Sequence, residues 1–247
     1  MTEWFENETF WQALYHYLFP ASRFIASKDE MEKLLTLLDF KGKTVLDLCC
    51  GPGRHSMELA RYGLHVTGVD RSEYLLKKAK KMANLENLDV EWVCEDMRKF
   101  SRPDSFDLIM NCFTSFGYFE NEQENLDVLT LMYQNLRKNG IAALEMMGKE
   151  VFARIFQPTI STELHDGSLV IQRITVADGW DRCLNDVYLI KGGQVETHSF
   201  NHALYSGKEL KMLLKKAGFD EIKLYGNLDG DEYGPGASRL IAVAYKY

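Results

Sequence analysis

Three short stretches carry residue types and spacings suited to binding chemistry. They are Asp47-Leu-Cys-Cys-Gly51-Pro-Gly53-Arg54, Gly68-Val-Asp70-Arg71 and Glu95-Asp96-Met97. In the first, a glycine turn follows directly on the apolar run Val45, Leu46 and Leu48. Glycine reaches backbone angles that other residues avoid, and its missing Cβ lets a ligand approach the main chain. A strand, a glycine turn and then a helix make a nucleotide-type site at the carboxyl end of the strand.

Two ligand classes use such a turn. A dinucleotide site takes a third glycine three positions after the second, and Ser56 stands there. S-adenosylmethionine has no phosphate; it needs backbone room for its amino-acid end, an acid for the ribose hydroxyls and an apolar slot for adenine. Asp70 lies close to the ~20 positions expected between a glycine turn and a ribose-binding acid. Its bland reading is a helix-capping acid, but Ser72 already serves as the cap of the next helix. Asp96 is placed to accept from the adenine amino group with Met97 against the ring; the bland alternative is an exposed loop.

The elements that must position these residues can be taken in order. Thr9 to Phe19 reads as an aromatic helix stopped by Pro20, either packed on the domain or acting as a lid that excludes water. Ser27-Lys-Asp-Glu30 reads as a capping box opening a helix with Met31, Leu34, Leu35 and Leu38 on one face. Strands are expected at Val45–Leu48, His65–Val69, Val90–Val93, Phe106–Asn111 and Ile141–Met147, with helices between them. The helix opened by Asn121-Glu-Gln-Glu124 should run to about Arg137. The loop Cys112 to Phe119 is aromatic, which suggests an exposed binding surface.

After Met147 the pattern changes to β-like runs at Ile160–Leu164, Leu169–Val176, Arg182–Ile190 and Gln194–Leu204. Asp166-Gly167, Asp178-Gly179 and Gly192-Gly193 separate them as hairpin signals. This predicts an antiparallel insertion with one covered face. Ser206-Gly-Lys-Glu209 caps a further helix. The last two strands, Glu221–Tyr225 and Arg239–Ala244, are joined too briefly for a parallel crossover and must pair antiparallel.

Composition bounds the function. The 247 residues are 46% hydrophobic and 26% charged, ordinary for a globular protein. A formal charge of −7 argues against nucleic acid or an anionic membrane as the main partner. No signal peptide and no apolar run of membrane-spanning length is read, and five cysteines without a C-x-x-C pair fit reduced thiols in the cytoplasm. Adjacent Cys49 and Cys50 beside His55 would chelate one ion poorly, so no metal is expected.

Taken together, Val45 to Gly53, Gly68-Val-Asp70, Glu95-Asp-Met97 and Phe106 to Asn111 resemble the class I S-adenosylmethionine-dependent methyltransferases. The resemblance covers about Leu34 to Met147 and returns at Ser206 to Tyr245; the family often has glycine where Cys49 or Cys50 stands. It implies an α/β fold, a doubly wound, Rossmann-like, seven-stranded and mostly parallel sheet, with the antiparallel insertion added. Residues 1–40 would be a helical cap, 41–147 with 206–247 the cofactor domain, and 148–205 a substrate cover. Carried over by position, Cys50, Gly51 and Gly53 would border the methionine end, Asp47 would orient the loop and Arg54 would reach the cofactor carboxylate. Asp70 with Arg71 would hold the ribose side, Asp96 and Met97 the adenine, and Asn111 would sit near the methyl group. Phe113, Tyr118, His198 and His202 are the acceptor-side candidates, and no catalytic base is assigned.

The implied activity is methyl transfer to a nitrogen or oxygen of a small molecule. An NAD-dependent oxidoreductase, or a non-catalytic S-adenosylmethionine-binding protein, are the alternatives. Neither the acceptor nor the oligomeric state is legible in the sequence.

Overall fold

Val45, Leu46 and Leu48 build strand β1 (Thr44–Leu48), which lies at the centre of the molecule with no exposed side chain beyond its first residue. The computed structural model describes residues 3–247, so Met1 and Thr2 of the expected N-terminal cap lie outside the described residues. Helices α1 (Glu8–Leu18) and α2 (Ala21–Leu37) precede β1. After it come α3 (Arg54–Arg61), β2 (His65–Asp70), α4 (Glu73–Leu85), β3 (Val90–Cys94), β4 (Phe106–Asn111), α5 (Glu122–Asn135) and β5 (Leu136–Met146). Then follow α6 (Lys149–Ile155), β6 (Thr159–Glu163), β7 (Leu169–Ala177), β8 (Arg182–Lys191), β9 (Gln194–Ala203), α7 (Gly207–Lys216), β10 (Glu221–Tyr225) and β11 (Leu240–Tyr245).

Two sheets result. The larger has seven strands in the order β10-β11-β5-β4-β1-β2-β3, and the smaller has four in the order β6-β7-β8-β9. In the larger sheet β1 to β5 run parallel, while β11 is antiparallel to both its neighbours, as the short β10–β11 connection requires. The order reverses beside β1, and the crevice at such a switch point is where open α/β sheets bind ligands.

Helix termini follow local chemistry. Ser72 accepts from the Leu75 amide to start α4, and Ser206 with Glu209 forms a reciprocal capping box on α7. The expected box at Ser27 is absent. Proline at position 20 starts α2 about two turns earlier, so Ser27 lies inside the helix, fully buried, and its hydroxyl donates to the Arg23 carbonyl. The helix opened by Asn121 ends at Asn135, two residues before the expected Arg137, and β5 begins at once. The seven-residue α6 was not expected; its alternation is too short to show a helical period.

The smaller sheet turns one face inward. Val170 and Val187 pack there on Phe10 and Leu14 of α1, and the Tyr17 hydroxyl donates to Gln172. The insertion is therefore covered by the N-terminal helix on the face that alternation predicts to be apolar.

Candidate functional site

The tips of β1, β2, β3 and β4 open into a cavity of about 420 Å³, within the range of small-molecule sites. Its floor is the turn after β1. Cys49 adopts a left-handed φ of 64° and Gly51 one of 55°, so the chain reverses abruptly at the strand end. The Gly51 amide donates to Asp70 Oδ2 at 2.7 Å, and the Ser72 amide donates to Asp70 Oδ1 at 2.9 Å. Asp70 thus locks the turn after β1 to the start of α4 while its half-buried carboxylate still borders the cavity. Burial pushes its pKa up to about 6, against the two amides that favour the charged form.

The two glycines of the turn do different work. A Cβ on Gly51 would meet only the Phe19 ring, at 3.5 Å, so the backbone there is open toward the cavity. A Cβ on Gly53 would stand 2.4 Å from Trp92 Cη2. Gly53 does not line the cavity; it lets α3 start against Trp92 with a φ of 77°. Below the turn, Asp47 is buried and accepts from the Ser56 hydroxyl at 2.6 Å. Ser56 therefore occupies the position of a third dinucleotide-type glycine and presents a buried carboxylate there. A pyrophosphate at this turn would face Asp47 and Asp70 together, whereas a sulfonium or ammonium is attracted.

Arg54 is not free to meet a ligand carboxylate. It is buried, and its Nη1 donates to Glu30 and to the Ser27 hydroxyl; His55 contacts the same Glu30 oxygen at 2.9 Å. Arg239 reaches the other oxygen of Glu30 at 3.2 Å. These partners, the Arg54 charge and the His55 hydrogen bond foremost, hold the Glu30 carboxyl far below its usual range despite burial.

At the third strand tip Asp96 is buried and its oxygens accept from Arg71 at 2.6 Å and from Arg98 at 2.6 Å. Burial opposes the charge, but these guanidiniums and the Arg98 amide keep its carboxyl below the usual range. Met97 lies beside it, with its Sδ 3.4 Å from Cys49 Sγ. Arg71 also pairs with Glu6 at 2.5 Å, which ties the N-terminal turn Trp4–Glu6 over the same tip. Neither arginine partner of Asp96 is available to a ligand alone, a feature that the local motif did not reveal.

Several expected residues fall elsewhere. Asn111 is buried behind the floor, where its Nδ2 donates to the Leu48 carbonyl; its Oδ1 has no partner, and it does not line the cavity. His198 shares the inward face of β9 with Phe200 and His202, yet it lies edge-on under Phe10, at 5.8 Å, and is shut off from the cavity. Phe116 and Phe119 of the aromatic loop belong to the core rather than to an exposed surface. Phe113 and Tyr118 do face the cavity, Phe113 beneath the Arg23 guanidinium at 4.0 Å.

The far wall comes from elements the motifs do not describe. Trp4, Phe10 and Trp11 close one side; Phe152 of α6 and Phe156 just after it close another; Asn185, Phe200 and His202 of the smaller sheet complete it. The aromatic helix from Thr9 to Phe19, read as packed on the domain or as a lid, and the alternation of the insertion strands were the signals of this wall. Among the described residues no group of three or more metal-ligating side chains converges, and no helix is long and apolar enough to cross a membrane.

Residues 45–140 match the family model described as a methyltransferase domain. A putative methyltransferase of Geobacillus sp. strain WCH70 is 24% identical over 250 residues, 98% of this chain and 99% of that protein. A cypemycin N-terminal methyltransferase of Streptomyces sp. is 26% identical over 204 residues, 82% of each chain. Among solved structures, an S-adenosylmethionine-dependent methyltransferase of Clostridium acetobutylicum superposes with a TM-score of 0.80 at 14% identity, covering 97% of this chain and 99% of that one.

Proposed function

We propose that the chain is a class I S-adenosylmethionine-dependent methyltransferase and that it methylates a nitrogen or oxygen of a small molecule. When bound, S-adenosylmethionine supplies an activated methyl group on a sulfonium. The observation that carries the assignment of its seat is the opening at Gly51 beside Asp70, where the backbone is bare toward an acid-bordered cavity. Gly51 and Cys50 take the methionine end, and Asp70 takes the ribose hydroxyls on its remaining lone pairs. Met97 covers the adenine face. Asp96, fixed by Arg71 and Arg98, accepts from the adenine amino group. Asp47 and Gly53 shape the turn from behind.

What remains of the cavity receives the acceptor. The segment 148–205 and the N-terminal helices together form its cover, with Phe113 and Tyr118 at the junction between the two halves. Such walls orient the acceptor and exclude water, which is where a donor that is already activated gains most rate. The cypemycin enzyme acts on an N-terminus by its name, which supports a nitrogen acceptor. Five unpaired cysteines and the acidic balance support a cytoplasmic protein without nucleic acid as partner.

Isothermal titration with S-adenosylhomocysteine tests the reading. Micromolar binding that Asp70→Ala weakens is expected. An absence of heat at millimolar ligand, with the protein folded by circular dichroism, rejects it.

A further inference from the structure

The charged residues around the cavity are segregated. Asp47, Arg54, Asp70, Arg71, Glu95 and Asp96 all stand at the strand tips of the larger sheet. The part bounded by α6 and the smaller sheet has no acidic or basic side chain other than His202; its walls include Phe152, Phe156, Ile160, Ile174 and Phe200. A charged acceptor group seated there would lose its hydration with no ionised side chain lining its seat; Arg182, whose charge is felt at His202, lies outside that lining.

Within that apolar part the strand register sets two polar residues side by side. Cys183 lies opposite His202, and Asn185 lies opposite Phe200, so all four point to the same face. Asn185 is buried and its Nδ2 donates to Cys183 Sγ at 3.3 Å. His202 Nδ1 is buried without a partner. Burial, reinforced by the nearby Arg182 charge, lowers the His202 pKa to about 4, so the imidazole is neutral at pH 7. Arg182 itself is engaged by the Asn201 side chain and the Phe119 carbonyl. The neutral ring offers one donor and one acceptor nitrogen, and no protein group uses either.

We propose that the acceptor is an uncharged molecule with an apolar or aromatic body, and that His202 and Asn185 orient it by hydrogen bonds to its hydroxyl or neutral amine. This rests on the methyltransferase reading and specifies the substrate class of the same site. It assigns His202 a binding role, since a buried imidazole of this kind is a poor general base.

The test is ligand-observed NMR on the intact protein saturated with S-adenosylhomocysteine. The probes are phenol, aniline, toluene, phenylacetate and benzylammonium at millimolar concentration. Phenol and aniline are expected to bind more tightly than the two ions. His202→Phe is expected to weaken phenol about tenfold, the worth of one hydrogen bond, while leaving toluene unchanged and S-adenosylhomocysteine affinity intact. His202→Gln, which keeps a hydrogen-bonding group, should restore part of the loss, and Asn185→Leu provides an independent second variant. Preferential binding of phenylacetate or benzylammonium overturns the proposal. So does phenol binding unaffected in both His202→Phe and Asn185→Leu, or no probe binding at all. Calorimetry with S-adenosylhomocysteine on the same sample keeps the outcomes apart. If that ligand binds and the probes behave otherwise, only the acceptor assignment fails; if it does not bind, the methyltransferase reading fails first.

Discussion

Asp70 Oδ2 accepts the Gly51 amide at 2.7 Å, so one carboxylate fixes the turn proposed to receive the cofactor and borders the same cavity. Its folded pKa, about 6, lies above the ordinary 3.8. A raised acid binds protons more readily folded than unfolded, so between pH 4 and 6 its contribution makes stability fall as pH rises. The loss is complete above about pH 6 and is bounded by about 3 kcal/mol. Affinity for a cationic cofactor runs the other way, weakening as pH drops through 6 and Asp70 is protonated. Titrations with S-adenosylmethionine at pH 5 and pH 7.5 should differ for the native chain and coincide for Asp70→Asn. At pH 7.5, Asp70→Ala should cost about 1–3 kcal/mol of affinity.

Gly51 and Gly53 separate binding from folding. Gly53→Ala places a Cβ 2.4 Å from Trp92 on a residue with φ of 77°. It should destabilise the fold by about 1–3 kcal/mol, read as a lowered urea midpoint with the slope unchanged. Gly51→Ala meets no clash and pays only for its φ of 55°, about 1–2 kcal/mol. Its main effect should be on S-adenosylhomocysteine affinity, because the new methyl sits at the open floor. Equal affinity losses in the two variants would contradict this division.

Glu30 joins two elements far apart in sequence, α2 and the start of α3. Its carboxylate meets buried Arg54 and His55 and the more exposed Arg239. Glu30→Gln leaves the Arg54 cation uncompensated and should cost about 3–5 kcal/mol. Glu30→Gln with Arg54→Met removes both charges and should recover most of that. Since the Glu30 pKa is depressed in the folded chain, the stabilisation is full above the unfolded value, near 4.5, and is lost as pH falls below it. Urea titrations at pH 7 and pH 4 should show the stability difference between the native chain and the double variant shrinking at the lower pH, a comparison in which the Asp70 contribution, common to both, cancels.

The Glu30 network also shows where sequence reading stops. The order of strands around Asp47, Asp70 and Asp96 was legible because each motif is local: apolar run, turn, acid. The hairpins of the smaller sheet were legible from Asp-Gly and Gly-Gly pairs. Ser27 misled because a serine three positions before a glutamate satisfies the capping pattern equally well inside a helix. The pattern does not report that Pro20 has already started the helix. Phe116 and Phe119 misled because loop residues that fold back into a core have no periodicity to announce it. Glu30 lies 24 positions from Arg54 and Arg71 lies 25 from Asp96, and no spacing rule reaches such partners.

The N-terminal turn gives the last prediction. Trp4 packs on Tyr118 at 4.7 Å, on Phe10 at 5.3 Å and on Phe200 at 5.4 Å, and its Nε1 donates to the Asn201 carbonyl at 3.0 Å. One ring therefore joins α1, the loop after β4 and strand β9. Fully buried aromatics cost about 3–5 kcal/mol on truncation to alanine; partly exposed Trp4 should cost about 2–3 kcal/mol. The loss should be local in character. In hydrogen exchange, amides of α1 and β9 should lose protection together in Trp4→Ala, because both opened faces border the same vacated volume. Those of β1 and β2, held by strands on both sides, should keep theirs. S-adenosylhomocysteine affinity should fall less than probe binding in the apolar part of the cavity, since the Trp4 ring packs on Phe10, Tyr118 and Phe200 of the apolar walls. Unchanged protection in β9 would mean that the smaller sheet is held without the N-terminal turn, and that Trp4 closes the cavity without bracing it.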